Sequence, residues 1–253
     1  MDCEKAIRFA QSLDRSAESV EKLYGMLLKE FSLPRPPETP RERRGKLITF
    51  DGHSGTGKDT QLALLRDYMC SDHRYAGMNV VPLVQKRSDP FRQVVKALWE
   101  NRELLDDDCS FLLLTAGRRL FVYGTVLPRL EDARNVILQN RSYLSHVAYC
   151  ARDTSEIPSL LALCNFDPVA DLPFVLGCDI DAAFGRVVKR SPEKGGVIYP
   201  NERPDYTARV KSNFNALAGL VDGLRQINTT GPAEGVAAMI RGCLDGLLFR
   251  GTR

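Results

Sequence analysis

From Lys46 onward the chain alternates short apolar runs with longer stretches in which apolar residues recur every three or four positions. The short runs predict strands at Leu47–Phe50, Val80–Val84, Val136–Gln139, Phe174–Cys178 and Gln226–Asn228. The longer ones predict helices over residues 60–68, 91–99, 111–129, 182–189, 206–220 and 233–248. Strands that alternate with helices imply right-handed crossovers, hence an α/β domain whose mainly parallel sheet carries helices on both faces. Ahead of it, Leu13, Ala17, Val20, Tyr24, Leu27 and Phe31 recur at helical spacing among charges, which predicts an amphipathic helix or helix pair. Such a stripe must pack on something. Pro34, Pro36, Pro37 and Pro40 then read either as a stiff extended linker or as an ordered segment crossing the domain surface. These patterns divide the chain into an N-terminal helical extension with a proline-rich linker over residues 1–45, and a larger domain over 46–253.

Composition narrows the class without naming a function. With 43% hydrophobic and 26% charged residues among 253, collagen-like and wholly disordered readings are excluded. The net charge of +3, from 35 basic and 32 acidic residues, is too balanced for wholesale binding to nucleic acid or membrane. Any basic site must be local. Seven cysteines, odd in number and never arranged C-x-x-C, suggest neither a zinc site nor a disulfide framework. Without a secretory leader or an apolar run of membrane-spanning length, the expectation is a reducing, cytoplasmic setting.

The sharpest signal is Gly52-His53-Ser54-Gly55-Thr56-Gly57-Lys58-Asp59-Thr60, directly after a predicted strand and directly before a predicted helix. It fits G-x-x-x-x-G-K in the context that pattern requires. The glycines let successive N–H groups curl inward onto phosphate oxygens, the helix N-terminus adds a favourable dipole, and Lys58 reaches the β and γ phosphates. One position departs: Asp59 stands where Ser or Thr would hold Mg²⁺, leaving Thr60 as the hydroxyl candidate, directly or through water. As a first-turn carboxylate Asp59 also stabilises the helix by about 0.3–1 kcal/mol.

Beyond this loop the sequence resembles the thymidylate kinase family of P-loop nucleoside-monophosphate kinases across nearly all of residues 46–248. Phe50-Asp51-Gly52 and Gly57-Lys58-Asp59-Thr60-Gln61 are similar to that family's F-E-G and G-K-S-T-Q, and adenylate kinases show G-K-G-T-Q. Leu112-Leu113-Leu114-Thr115-Ala116-Gly117-Arg118 resembles L-L-F-A-A-D-R. Asn140-Arg141-Ser142 through Tyr149 resembles D-R-Y-x-x-S-x-x-A-Y, and the segment from Asp171 to Arg190 looks like the fourth strand and the helix leading to the lid. The resemblance implies a P-loop kinase fold, a five-stranded parallel sheet of order 2-3-1-4-5 flanked by helices. It implies phosphoryl transfer from ATP, with Mg²⁺, to a nucleoside monophosphate such as dTMP or a related small molecule. In those terms Gly52 to Thr60 hold ATP, Asp59 and Thr60 face the metal, and Lys58, Arg141, Arg186 and Arg190 supply catalytic positive charge. The acceptor falls to Asp51, Arg87, Leu114, Arg118, Arg141, Ser145, His146 and Tyr149, under a lid over Ser191–Pro204 that carries Lys194 and Arg203.

The acceptor half departs most from the family pattern. Leu114 stands where a Phe stacks on thymine, Ser54 where an Asp approaches the acceptor, and His146 replaces a smaller residue, while Tyr149 beside the sugar is retained. Asn140 replaces the acid before the motif arginine, which suggests that Asp59 has taken over metal organisation, with drift toward low activity as the other reading. His146 reads as a pocket wall more readily than as a general base, and Asp106-Asp107-Asp108 as a helix cap. The competing function is a nucleotide-binding scaffold that has lost turnover. A homodimer packed through residues 111–130 competes with burial of the same residues inside one subunit.

Overall fold

The computed structural model describes residues 3–33, 35, 42–87, 91–101, 106–192 and 196–249. The prolines at 34, 36, 37 and 40 and the lid lysine at 194 lie outside them. Helices α1 (Cys3–Gln11) and α2 (Ala17–Glu30) precede strand β1 (Lys46–Asp51), helix α3 (Lys58–Ser71) and strand β2 (Asn79–Val84). Then come α4 (Phe91–Glu100), α5 (Asp107–Phe121), α6 (Leu127–Leu130), β3 (Asn135–Asn140), α7 (Tyr143–Cys150) and α8 (Ile157–Leu163). Strand β4 (Leu172–Gly177), α9 (Ile180–Arg190), α10 (Pro204–Ala218), β5 (Arg225–Asn228) and α11 (Ala233–Leu248) complete the order. The strands form one five-stranded sheet ordered β2-β3-β1-β4-β5. Central β1 pairs parallel with β3 and β4, setting Phe50 opposite both Asn140 and Phe174, so the carboxyl ends of three strands converge where β1 leaves the sheet. Open parallel sheets place their ligands at that edge.

The chain resolves into two compact units. One comprises residues 1–45, 83–133 and 159–168, and the other 46–82, 134–158 and 169–253. In the first, the amphipathic N-terminal stripe becomes a helix pair whose Ile7, Leu23, Tyr24 and Leu27 are buried, with α2 and α1 both packed on α5. Ser16 starts α2 by accepting from the Ser19 N–H, and Asp106 starts α5 by accepting from the Cys109 N–H at 2.6 Å, as its acidic run predicts. The long helix predicted over 111–129 is interrupted by a π-helical stretch at Val122–Val126. Pro128 has no N–H to offer the turn before it, and the Leu127 N–H reaches back five residues to the Val122 carbonyl.

The second unit holds the core beneath the site. Ile48, Phe50, Leu138, Phe174 and Leu176 from the strands pack on Leu65 and Met69 of α3 and on Val236, Ile240 and Leu244 of α11. Burial of this kind is worth about 1.5–3 kcal/mol per large side chain, which fixes the strand ends against α3. Six cysteines, Cys70, Cys109, Cys150, Cys164, Cys178 and Cys243, are free thiols. Among the described residues no helix is long and apolar enough to cross a membrane.

Candidate active site

The loop from Gly52 to Gly57 owes its shape to backbone that only glycine adopts without strain. Gly52, Gly55 and Gly57 have φ of +133°, +81° and +82°. A Cβ on Gly52 would lie 2.2 Å from the Leu176 carbonyl oxygen, and one on Gly55 2.2 Å from that of Ala183, so β4 and α9 press directly on the loop. Gly57 is the N-cap of α3, which points the free N–H groups of the first turn at the loop's concave side.

Lys58, the first residue of α3, folds back into the loop. Its Nζ donates to the carbonyls of Gly52 (2.9 Å) and His53 (2.7 Å) and to Thr56 Oγ1 (3.2 Å). Burial pushes its pKa well below the ordinary lysine value, the charge of Arg141 adds to this, and Asp59 and Asp51 oppose it. His53 is 2% exposed, and its Nδ1 lies 3.0 Å from the Ser54 carbonyl. Since a carbonyl only accepts, Nδ1 carries the proton. Burial, then the charges of Lys58 and Lys211, lower the His53 pKa from 6.5 to about 4, against the Ser54 hydrogen bond. The unfolded chain therefore takes up this proton first. Stability is intact above pH 6.5, falls between 6.5 and about 4 by about 2–3 kcal/mol, and levels off below. Urea titrations across that window should show the loss in the wild type and a flatter acid arm in His53→Gln; equal slopes would remove His53 as the cause.

Asp59 and Thr60 in the first turn of α3 are exposed, offering a carboxylate and a hydroxyl oxygen. The Asn140 Nδ2, at the end of β3, donates to Asp59 Oδ1 at 2.6 Å. The two positions that depart from the family pattern are thus hydrogen-bonded partners. Oxygen donors beside a phosphate-shaped loop suit Mg²⁺, a hard cation that binds through one or two protein oxygens plus phosphates and water. No cluster of three acidic, His or Cys residues that could hold a metal occurs among the described residues.

Asp51, fully buried at the end of β1, is enclosed by α7. Its carboxylate accepts from the backbone N–H of Ser142 (2.8 Å) and Ser145 (3.0 Å) and from both serine hydroxyls (2.6 Å each). An acid at this helix N-terminus satisfies its orphan donors and complements its dipole, so Asp51 and Ser145 are turned toward each other and fix where α7 begins. Arg141, one residue earlier, has φ +71°, the left-handed region that non-glycine residues seldom occupy. That backbone leaves its guanidinium 4.8 Å from the Tyr149 ring centroid and within 3.4 Å of the Tyr149 hydroxyl. Asn213 of α10 donates to the Ala148 and Ala151 carbonyls at 3.0 Å each, anchoring the far end of α7. His146 is half-buried with Nδ1 3.8 Å from Cys150 Sγ.

Arg186 of α9 bridges two loops, donating to the Gly55 carbonyl (3.2 Å) and the Thr229 carbonyl (2.8 Å). Arg190 pairs with Glu202 Oε1 at 2.6 Å, which ties the end of α9 to the turn before α10. Arg203 is exposed at the N-cap of α10. In the other unit, Arg118 is fully buried and pairs bidentately with Asp167, while its Nη1 reaches Gln85 Oε1 at 2.5 Å. Leu114 is half-buried one turn earlier on α5, and Arg87 is exposed in the turn after β2. Sequence reading missed Asp167, Gln85 and Thr229 in these roles. None belongs to a short motif, and only an unexplained buried arginine hints that a carboxylate must come from elsewhere.

Comparison with known proteins agrees with this geometry. Residues 50–240 match the thymidylate kinase family. Thymidylate kinase of Leifsonia xyli subsp. xyli is 30% identical over 211 residues, covering 82% of this chain and 98% of that protein. Thymidylate kinase of Desulfotalea psychrophila is 27% identical over 174 residues, 69% of this chain and 82% of that protein. A crystal structure of thymidylate kinase from Ehrlichia chaffeensis shares the fold with a TM-score of 0.58 at 21% identity, over 79% of this chain and 98% of that one. With the five-stranded order and the phosphate loop in place, a match spanning most of the sequence places the chain in the thymidylate kinase family.

Proposed function

We propose that this chain transfers the γ-phosphoryl group of ATP to a nucleoside monophosphate, dTMP or a close relative, through a kinase domain at residues 46–253 carrying an N-terminal helical extension. The observation that carries the reading is the loop from Gly52 to Lys58, whose positive-φ glycines, helix N-terminus and buried lysine make a cradle for phosphates. Phosphoryl transfer needs positioned positive charge more than covalent chemistry. Lys58 turns from the loop carbonyls to the β and γ phosphates. Arg141, held by strained backbone and by Tyr149, meets the acceptor phosphate at the end of β1. Arg186, already seated on the loop, and Arg190 neutralise charge on the transferred group.

Mg²⁺ would be held by Thr60 and Asp59 together with phosphate oxygens, and would supply charge neutralisation across the β and γ phosphates. Asn140 orients the Asp59 carboxylate toward that position. Asp59→Asn should therefore raise the Mg²⁺ concentration for half-maximal activity about tenfold; unchanged Mg²⁺ dependence in that variant would defeat the assignment. Tyr149 excludes a 2′-hydroxyl, so deoxynucleotides are preferred. A protein of this make-up acts in the cytoplasm.

A coupled assay of ADP release across the deoxynucleoside and ribonucleoside monophosphates tests the reading. Turnover should be greatest with dTMP, with the ribonucleotide counterparts slower; tight ATP binding without transfer to any of them would overturn it.

A further inference from the structure

A cavity of about 320 Å³ lies between α10 and the β4–β5 pair, behind the phosphate loop. That is the lower end of the range for small-molecule sites. Its inner wall includes His53, Val175 and Phe214, and its rim carries Lys211, Asp179, Asn215 and Gln226. The inner wall holds an unusual group. His53 Nδ1 is committed to the Ser54 carbonyl, so Nε2 bears the lone pair, and among the described residues this buried atom has no hydrogen-bond partner. A buried acceptor left unpaired is costly, and a ligand with a donor recovers that cost on binding. At the rim, the charges of Lys211 and Asp179 offset each other, which favours an uncharged occupant. Gln226 Nε2 donates to Asn215 Oδ1 at 3.3 Å, which leaves the Asn215 amide N–H groups and the Lys211 ammonium as donors for the ligand's oxygens.

From this arrangement we infer that the cavity is a regulatory site for an uncharged heterocycle whose ring N–H is flanked by carbonyl oxygens, the imide pattern of a pyrimidine nucleoside. The N–H donates to His53 Nε2, the ring lies against Phe214 and Val175, and the carbonyls accept from Lys211 and Asn215. Occupancy reaches the phosphate loop through one residue. The His53 carbonyl accepts from Lys58 Nζ and from Thr56 Oγ1, so a ligand that fixes His53 also holds Lys58 on the loop carbonyls and away from phosphate. The site is separate from the acceptor residues around Arg141 and Tyr149, and the inference goes beyond the proposed reaction.

The test uses uridine, whose 2′-hydroxyl sets it apart from the preferred acceptors. Titrating it into the full-length protein should give saturable one-to-one binding, with the ¹⁵N resonance of His53 Nε2, assigned with His53→Gln, shifting as the site fills. Uridine should raise the Kd of a non-hydrolysable ATP analogue about fivefold, and by linkage that analogue should weaken uridine by the same factor. Lys211→Ala and Asn215→Ala should weaken uridine about tenfold while leaving kcat without uridine unchanged. Three results would each overturn the inference: no saturable binding at millimolar uridine, binding lost in Arg141→Ala but kept in the rim variants, or a His53 response to adenosine and none to uridine. A kinase assay without uridine reports separately on the phosphoryl-transfer reading.

Discussion

Lys58→Ala should lower kcat by about a thousandfold. Removal of a single positioned donor from a charge-stabilising site costs roughly 10²–10³ in rate, and Lys58 is the one cation that grows from the phosphate loop itself. Its Nζ already lies within 2.7–3.2 Å of three loop oxygens, so the swing to a bound phosphate is short and needs no rearrangement of α3. A desolvated ammonium also acts at low dielectric, where its field is strongest. The substitution takes the Lys58 donor from the Gly52 and His53 carbonyls, which keep the Arg141 guanidinium at 3.5 Å and the Thr56 hydroxyl at 3.0 Å, so thermal stability should fall only modestly while activity collapses. Lys58→Arg should not rescue, since the planar guanidinium cannot enter a space shaped for an ammonium. Activity within tenfold of wild type in Lys58→Ala, in protein with a near-native melting curve, would show that the phosphates rely on backbone and arginines instead.

The largest effect on stability is expected at Asp167. Asp167→Ala strands the guanidinium of Arg118 in a dry interior, for the side chains of this pair are 0% and 3% exposed. Breaking one half of a buried ion pair costs about 3–5 kcal/mol, which in a protein of this size lowers Tm by about 10 °C. Arg118→Met combined with Asp167→Leu should recover most of that loss, because the penalty comes from the uncompensated charge rather than from a missing attraction. Differential scanning calorimetry of the three proteins checks both statements. A loss below 1 kcal/mol in the single variant would mean that water reaches the guanidinium.

Much of the fold was legible because each signal was local. The strands and most of the helices followed from periodicity, though not α7 or α8, the cap at Asp106 from an acidic run ahead of an apolar helix, and the phosphate loop from glycine spacing between a strand and a helix. The π-helical break at Val122–Val126 was missed, since a proline ends or distorts a helix in several ways and only the neighbouring packing selects one. The candidate site was legible as a list of residue types, not as a set of contacts. Asp51 appeared as an acceptor ligand, and its engagement with Ser142 and Ser145 emerged only when β1 and α7 met. Asn140 and Asp59 appeared as two separate departures and turned out to be one hydrogen-bonded pair.

The sequence by itself determined the α/β class, the phosphate loop with Lys58, and the family whose motifs run in order behind it. These are carried by spacing along the chain, where hydrophobic period and backbone freedom act over a few residues. Only the tertiary structure decided which carboxylate meets which donor: Asp167 with Arg118, Asp51 with two serines, Asp59 with Asn140, and the unpaired Nε2 of His53 beside a cavity. Such partners are set by desolvation, which forces every buried polar group to find a mate wherever the fold brings one within about 3 Å, and no rule of sequence spacing encodes that meeting.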